Sequence, residues 1–191
     1  FGVDYCEYTE EQLKNCSFLL RKFDAVSVRE LSGVNICRNY LGVEAVQMLD
    51  PALLLSADDY RNLINKKPEE HLKGNMLIYI LDKTPEKVSL VEKILEDKGL
   101  TPMWLDSPDE YNSGIPLENQ IKMSVELWLH SFDNADFIFT DSFHGCAFSI
   151  IFKKQFIVCG YEHRLIERVE SLLTLLSVQE RLIRSMEDYE N

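Results

Sequence analysis

The 191-residue sequence predicts an α/β protein built on parallel sheets. Short apolar runs, typical of strands, alternate along the chain with amphipathic helical patterns, and this alternation indicates βαβ units. One run, residues 76–81, is almost wholly apolar, as expected of a strand that is buried on both faces. Another, residues 137–139, ends in a small polar turn before a further apolar run begins. We therefore predict an α/β fold of βαβ units, divided into two lobes near the polar stretch 56–74.

The first lobe is assigned to residues 1–66. Thr9-Glu10-Glu11-Gln12 has the pattern of a capping box that begins a helix, and apolar residues then recur at helical spacing up to Phe23. Gly42 ends a second helix as a plausible C-cap, and Asp50-Pro51 is a turn signal after a strand. After the first helix, the predicted elements are a strand at 25–29, a helix at 33–41 and a strand at 44–49.

The second lobe is assigned to residues 67–191, after the polar stretch 56–74. Its best-marked helix has Thr84 as N-cap, Pro85 at the first helical position and Gly99 after the last turn. We predict a small doubly wound parallel sheet of about four strands, followed by a C-terminal helix and a fraying tail. The strands are 76–81, 103–105, 137–139 and 155–159, and the last helix is 165–176.

The chain is strongly acidic, with a formal net charge of -12 at pH 7. Such a charge repels nucleic acid and anionic membranes, so we expect neither as a main partner. Any anionic ligand then needs a local cluster of basic groups. No apolar run approaches the ~20 residues of a membrane-spanning helix, so we expect no transmembrane segment.

The cysteines and histidines show no metal-binding pattern. Five cysteines are scattered along the chain without a CxxC pair, and none of the four histidines has ligand spacing against them. Four of the cysteines have apolar neighbours, which is typical of small buried side chains in a reducing compartment. We expect no metal site and a cytoplasmic location. The four cysteines are Cys16, Cys37, Cys146 and Cys159.

Two predicted strand ends carry groups that suit an anionic ligand. Arg29 and Glu30 end one strand, and Asp141, Ser142 and His144 follow another. Arginine matches carboxylate or phosphate with a planar fork of donors, and histidine exchanges protons near neutral pH. The hydroxyl of Ser142 and the backbone N–H groups at Gly145 and Cys146 could cradle phosphate oxygens. Each group also has a structural alternative: Arg29 with Glu30 as an ion pair, His144, Asp141 and Ser142 as helix caps, and Arg168 as a solvated helix residue.

Three stretches, taken in order, resemble the polysaccharide pyruvyl transferase family. They are residues 23–30, which contain Phe-Asp-Ala-Val-Ser-Val-Arg-Glu, residues 46–55, and residues 135–145, which contain Thr-Asp-Ser-Phe-His-Gly. The helix 168–173 and residues 179–182 resemble the C-terminal end of the same family. The resemblance spans nearly the whole chain, and the ordered set of motifs is more specific than any one of them.

The resemblance implies two Rossmann-like lobes, as in the fold of the GT-B glycosyltransferases, with the first lobe incomplete at its N-terminus. It implies transfer of a pyruvyl group from phosphoenolpyruvate, as donor substrate and without a cofactor, to a sugar of a surface or exopolysaccharide. Arg29 and His144 match the residues associated with the donor. Ser142, Gly145, Asp141, Glu30 and Arg168 are the expected substrate-binding residues. Some members have arginine at the position of Ser142.

Two other functions stay open at the level of the sequence. One is a GT-B glycosyltransferase that uses a nucleotide-sugar, and the other is a non-catalytic module that binds a glycan or an anion. The expected partners are a small-molecule donor and a glycan acceptor, and an oligomer is possible. The residues do not identify the acceptor sugar, nor whether this stretch is active by itself.

Overall fold

A computed structural model of the chain describes residues 8–64, 73–105, 123–160 and 166–190. The described residues form two compact units. The first contains those of 1–54 and 163–179, and the second contains those of 55–162 and 180–191. The predicted lobe boundary at 66–67 lies outside the described residues. The last long helix, which we assigned to the second lobe, belongs to the first unit.

The first unit has a two-stranded parallel sheet with helices around it. Strand β1 (Ser27–Val28) pairs with β2 (Val46–Gln47). The helices are α1 (Glu10–Leu20), α2 (Leu31–Asn39) and, after the strands and helices of the second unit, α7 (Ile166–Leu175), with a 3-10 helix at Pro51–Leu54. The core contains Val28, Val34, Ile36, Cys37, Leu41 and Ala45.

Helix α1 begins as the sequence predicts but packs less tightly than its pattern indicates. The Thr9 hydroxyl accepts a hydrogen bond from the Gln12 N–H at 3.2 Å, and the Thr9 N–H donates to Gln12 Oε1 at 2.9 Å. No α1 residue is buried. The expectation that Cys16 is a buried cysteine is wrong, because this thiol is exposed, whereas Cys37, Cys146 and Cys159 are buried.

The second unit is a five-stranded parallel sheet in the order β4-β3-β5-β6-β7. Its strands are β3 (Met76–Tyr79), β4 (Pro102–Trp104), β5 (Phe137–Thr140), β6 (Gln155–Cys159) and β7 (Leu182–Ile183). Its helices are α3 (Ala57–Ile64), α4 (Pro85–Lys98), α5 (Val125–Asn134), α6 (Phe143–Ile151) and α8 (Met186–Glu190), with a 3-10 helix at Gln179–Arg181 between α7 and β7. The parallel sheets confirm the α/β class.

The ends of α4 show why this helix was predictable. The Thr84 hydroxyl accepts from the Lys87 N–H at 3.4 Å. Gly99 ends the helix with φ of +62°, a left-handed conformation that glycine adopts without strain. At the C-terminus, by contrast, the predicted fraying tail contains α8. The Asp188 carboxylate accepts the Arg184 N–H at 2.7 Å, and Tyr189 packs against the core.

The strand order places a topological switch point between β3 and β5. From the first strand of this sheet, β3, the chain goes to β4 on one side and then to β5, β6 and β7 on the other. In open α/β sheets, ligands bind outside the carboxyl ends of the strands where the order reverses. The carboxyl end of β5 is followed directly by Asp141, Ser142 and His144. The fold therefore places the predicted polar turn where a ligand is expected.

Candidate functional site

The turn from Thr140 to Gly145 is fixed by short-range hydrogen bonds. Thr140 Oγ1 accepts from the Ser142 N–H at 3.0 Å, and Ser142 Oγ accepts from the Gly145 N–H at 3.3 Å as the N-cap of α6. A Cβ on Gly145 would lie 2.2 Å from Thr140 Oγ1. Only glycine at this position lets α6 begin so close to the end of β5.

His144 is the exposed side chain of this turn. Its ring packs edge-on against buried Phe143, with 5.5 Å between the ring centroids and 84° between the planes. No described residue forms a hydrogen bond with the imidazole. The turn therefore presents a histidine to solvent with both ring nitrogens available for proton exchange with a ligand.

Asp141 joins the ends of β3 and β5 through a buried ion pair. Its carboxylate accepts hydrogen bonds from the Leu81 N–H at 2.7 Å, the Asp82 N–H at 3.1 Å and the Lys87 ammonium at 2.8 Å. Lys87 also donates to the Asp82 carbonyl at 2.8 Å, and only 3% of this residue is exposed. Asp141 thus holds the two strand ends of the switch point together. We define Asp141, Lys87 and the 81–82 backbone as the carboxylate clamp.

Tyr79 is a residue of this site that the sequence reasoning missed. It is the last residue of β3 and is partly buried, with its ring edge-on to Trp128 at 5.7 Å. Burial raises the pKa of Tyr79; hydrogen bonds with the Trp128 and Ser142 side chains oppose this shift, and the charge of Asp141 adds to it. A tyrosine at the carboxyl end of an otherwise aliphatic strand is the signal that would have revealed this residue.

The backbone groups predicted to cradle an anion have other partners in the structure. The Gly145 N–H donates to Ser142 Oγ, and the Cys146 N–H donates to the Ser142 carbonyl at 2.9 Å. Both bonds belong to the start of α6. The side chain of Ser142 is itself 4% exposed. In this structure, the accessible polar group of the turn is therefore the His144 imidazole.

Arg29 lies in the first unit, immediately after β1. Its Nη1 donates to Asp50 Oδ2 at 2.5 Å, and Asp50 Oδ1 accepts the Ala52 N–H at 3.0 Å. The sequence marks Asp50 only as part of a turn, whereas the structure makes it the ionic partner of Arg29. The Arg29 side chain is 19% exposed, so the guanidinium is largely held by the protein.

Glu30 and Arg168 are brought together in the same unit. Arg168 Nε lies 3.1 Å from Glu30 Oε1, and the Glu30 side chain is 1% exposed. Neither Glu30 carboxylate oxygen has a hydrogen-bond partner of good geometry, so the nearby guanidinium is its charge compensation. Of the sequence-predicted site residues, Arg29, Glu30 and Arg168 lie in the first unit, and Asp141, Ser142, His144 and Gly145 lie in the second.

One pocket in the described part of the first unit is apolar and does not suit an anionic ligand. This pocket of about 200 Å³ lies between α1 and α2 and is lined by Tyr8, Leu13, Cys16, Leu19, Leu20, Ile36, Cys37 and Leu41. Within the described residues, no group of three or more histidine, cysteine, aspartate or glutamate side chains is arranged to hold a metal ion. His71 and His163 lie outside those residues. No described helix is long and apolar enough to cross a bilayer.

Comparison with known proteins identifies the family. The sequence model of the polysaccharide pyruvyl transferases matches residues 1–163, which is most of the chain. The chain belongs to the polysaccharide pyruvyl transferase family. The resemblance drawn from the three motifs is therefore confirmed. A search of the curated proteins found no match to the chain.

Membership in the polysaccharide pyruvyl transferase family supports an enzyme of the transferase class, with small-molecule and glycan substrates. The matched residues include Arg29 and the whole turn that carries His144. They end before α7, β7 and α8, and of these α7 and β7 contribute buried residues to the fold. Within the residues that match the family, this chain thus has an exposed histidine, His144, at a sheet switch point and an arginine, Arg29, that contacts Asp50.

Proposed function

We propose that the chain transfers a pyruvyl group from phosphoenolpyruvate to a sugar of a surface or exopolysaccharide and forms a pyruvate ketal. The observation that carries this proposal is the family match over residues 1–163. The geometry of the turn supports it, because the reaction needs a proton donor and the turn presents the exposed imidazole of His144.

The reaction consists of protonation of the methylene carbon and attack of two hydroxyls on the neighbouring carbon, each hydroxyl losing its proton. A proton adds to the methylene carbon of phosphoenolpyruvate, which becomes the methyl group of the ketal. The first sugar hydroxyl bonds to the central carbon and loses its proton. The second hydroxyl then attacks this carbon, inorganic phosphate leaves with the electron pair of its C–O bond, and the phosphate takes the proton that the second hydroxyl loses. The reaction requires no oxidant, reductant or cofactor.

His144 is the proposed general acid that protonates the methylene carbon. General acid–base groups typically accelerate reactions by about 10²–10⁴-fold. Arg29 binds the carboxylate or the phosphate of the donor in this proposal, because a guanidinium presents a planar fork of donors that matches either group. Ser142 contributes a hydroxyl close to His144 in the turn. Asp141, Gly145, Glu30 and Arg168 act on the donor indirectly in this proposal, because their polar groups contact other residues of the protein.

The finer features of the family are part of the same proposal. The two units would correspond to the two lobes of a GT-B-like enzyme that works in the cytoplasm on an exopolysaccharide precursor. The parallel sheet of the second unit, with its switch point, is compatible with such a Rossmann-like lobe. The proposal includes the absence of a cofactor and leaves the oligomeric state open.

Ligand-dependent stabilisation tests the choice of donor. A ligand that binds the native state raises the melting temperature by mass action, so the melting temperature should rise with the logarithm of the phosphoenolpyruvate concentration above its Kd. UDP-sugars should have no effect at the same concentrations. Stabilisation by UDP-sugars without any effect of phosphoenolpyruvate would favour the nucleotide-sugar glycosyltransferase and refute the proposal.

The His144→Ala and His144→Gln variants test catalysis. Because the imidazole is exposed, neither substitution should change the melting temperature. Both should reduce pyruvyl transfer by about 10²–10⁴-fold, as expected from the loss of a general acid. Release of inorganic phosphate from phosphoenolpyruvate in the presence of acceptor measures the rate. If both variants keep full activity, His144 is not the general acid. If the wild type binds phosphoenolpyruvate but transfers no pyruvyl group, the chain is a non-catalytic module.

A further inference from the structure

We propose that helix α7 positions Arg29 for donor binding, with Ser171 and Arg168 as the positioning residues. This inference rests on the proposed function, in which Arg29 binds phosphoenolpyruvate. Helix α7 follows the residues that match the family, which end at 163. Although it is separated in sequence from β1 and β2 by the strands and helices of the second unit, it belongs to the first unit together with them.

The first link between α7 and Arg29 passes through the side-chain amide of Gln47. Gln47 Nε2 donates to the carbonyl oxygen of Arg29 at 3.1 Å and to Ser171 Oγ at 2.7 Å. Gln47 is the last residue of β2, and its register partner on β1 is Val28, next to Arg29. The two N–H bonds of one amide group therefore connect the backbone at Arg29 to the hydroxyl of Ser171.

The second link is the ion pair between Arg168 and Glu30, the residue that follows Arg29. The Glu30 side chain is 1% exposed, and the Arg168 side chain is 20% exposed. Arg168 and Ser171 are three residues apart in α7, so their side chains lie on the same face of the helix. One face of α7 thus reaches the peptide group between Arg29 and Glu30 through Gln47, and the Glu30 side chain through Arg168.

Together with Asp50, these links fix Arg29 at its backbone and at its guanidinium. Asp50 holds Nη1 at 2.5 Å, Gln47 holds the carbonyl oxygen, and Arg168 holds the following residue. A guanidinium that binds carboxylate or phosphate through two parallel hydrogen bonds requires a defined orientation. Loss of the α7 contacts should therefore weaken donor binding, with little effect on acceptor binding.

The matched variants Ser171→Thr and Ser171→Val test this inference in the full chain. Threonine and valine have nearly the same shape, and only threonine keeps the hydroxyl that Gln47 contacts. We expect Ser171→Val to raise KM for phosphoenolpyruvate by about three- to ten-fold, the effect of one net hydrogen bond, relative to Ser171→Thr. KM for the acceptor and kcat should be the same in both variants. Thr174→Val, at an exposed position of the same helix, is the control for helix propensity.

A double-mutant cycle with Arg29→Lys distinguishes positioning from an independent effect. If Ser171 acts through Arg29, Ser171→Val should have no further effect on KM for phosphoenolpyruvate in the Arg29→Lys background. A full additional effect in that background would overturn the inference, as would equal KM values for the threonine and valine variants. If Ser171→Val does not fold, Gln47→Met removes the amide that links Arg29 to Ser171. The same changes in KM for phosphoenolpyruvate are then expected of Gln47→Met.

Hydrogen exchange gives a readout that does not depend on the donor. The amides of residues 28–31 should exchange about three- to ten-fold faster in Ser171→Val than in Ser171→Thr, since the hydrogen bonds that hold this backbone are weaker. Equal exchange rates would overturn the inference even if phosphoenolpyruvate is the donor. Faster exchange in a chain that does not bind phosphoenolpyruvate would support the α7 contact and refute the proposed function instead.

Discussion

Gly145 sets how closely helix α6 approaches the end of β5. A Cβ at this residue would lie 2.2 Å from Thr140 Oγ1 and 2.9 Å from Thr140 Cβ, both too close for ordinary contacts. We expect Gly145→Ala to lower the free energy of unfolding by about 1–3 kcal/mol, the typical cost of overpacking a tight site. Urea denaturation followed by circular dichroism measures this change.

The control for this prediction removes the atom that the new methyl group would meet. In a Thr140→Ala background the hydroxyl is absent, so adding Gly145→Ala should cost less stability than it does in the wild type. The comparison is made against Thr140→Ala alone, because that change also removes the acceptor of the Ser142 N–H. An equal cost in both backgrounds would show that the contacts with Thr140 Oγ1 and Cγ2 are not what requires glycine.

At the scale of elements, the carboxylate clamp holds the switch point of the second sheet in place. The Lys87 and Asp141 side chains are 4% and 6% exposed, so each charge depends on the other for compensation. We expect Lys87→Met to lower the free energy of unfolding by about 3–5 kcal/mol, because it leaves a buried carboxylate without its cation. The urea midpoint gives the size of the loss.

Two further variants separate the charge from the packing of Lys87. Adding Asp141→Asn to Lys87→Met removes the uncompensated charge and should restore part of the lost stability. Lys93 lies on the same helix in an exposed pair with Asp97, and Lys93→Met should therefore have little effect. A loss at Lys87 no larger than that at Lys93 would contradict a buried, charge-dependent clamp.

The elements with strong local signals were predictable from the sequence. Strand β3 is an almost wholly apolar run, and helix α4 has a threonine N-cap and a glycine end. The turn that carries His144 was predicted because polar residues follow a strand abruptly. Strand β7 was missed because two residues carry no recognisable pattern. Its place at the edge of the sheet depends on pairing with β6, a contact distant in sequence.

Partners that are distant in sequence account for the rest of what the sequence did not reveal. Asp50 was interpreted as a turn residue, yet its carboxylate binds Arg29, 21 positions earlier. Arg168 was considered a solvated helix residue or a ligand-binding one, and its contact with Glu30 requires α7 to pack in the first unit. Side-chain pairing between separated segments follows from tertiary packing, which local spacing does not encode. The roles of Arg29 and His144 towards a donor remain predictions.

At the scale of the whole molecule, the two folded units extend beyond the region that matches the family. The residues after 163 contribute α7 to the first unit and β7 and α8 to the second. Their buried apolar side chains belong to the cores of both units. They are Val169, Leu172, Leu173 and Ile183. Both units therefore depend on a C-terminal segment that the family match does not include.

A chain that ends at residue 163 should accordingly lose its cooperative unfolding transition. Each buried side chain of this kind stabilises a fold by about 1.5–3 kcal/mol, and whole domains are stable by only about 5–15 kcal/mol. The truncation also leaves the buried carboxylate of Glu30 without Arg168. A chain that ends at residue 185 is the matched control, because it lacks only α8, which has no buried residue. Urea denaturation should show a cooperative transition for the control and none for the shorter chain. An unchanged transition in the chain that ends at 163 would mean that the matched region folds without the C-terminal segment, and that α7 does not stabilise the site of Arg29.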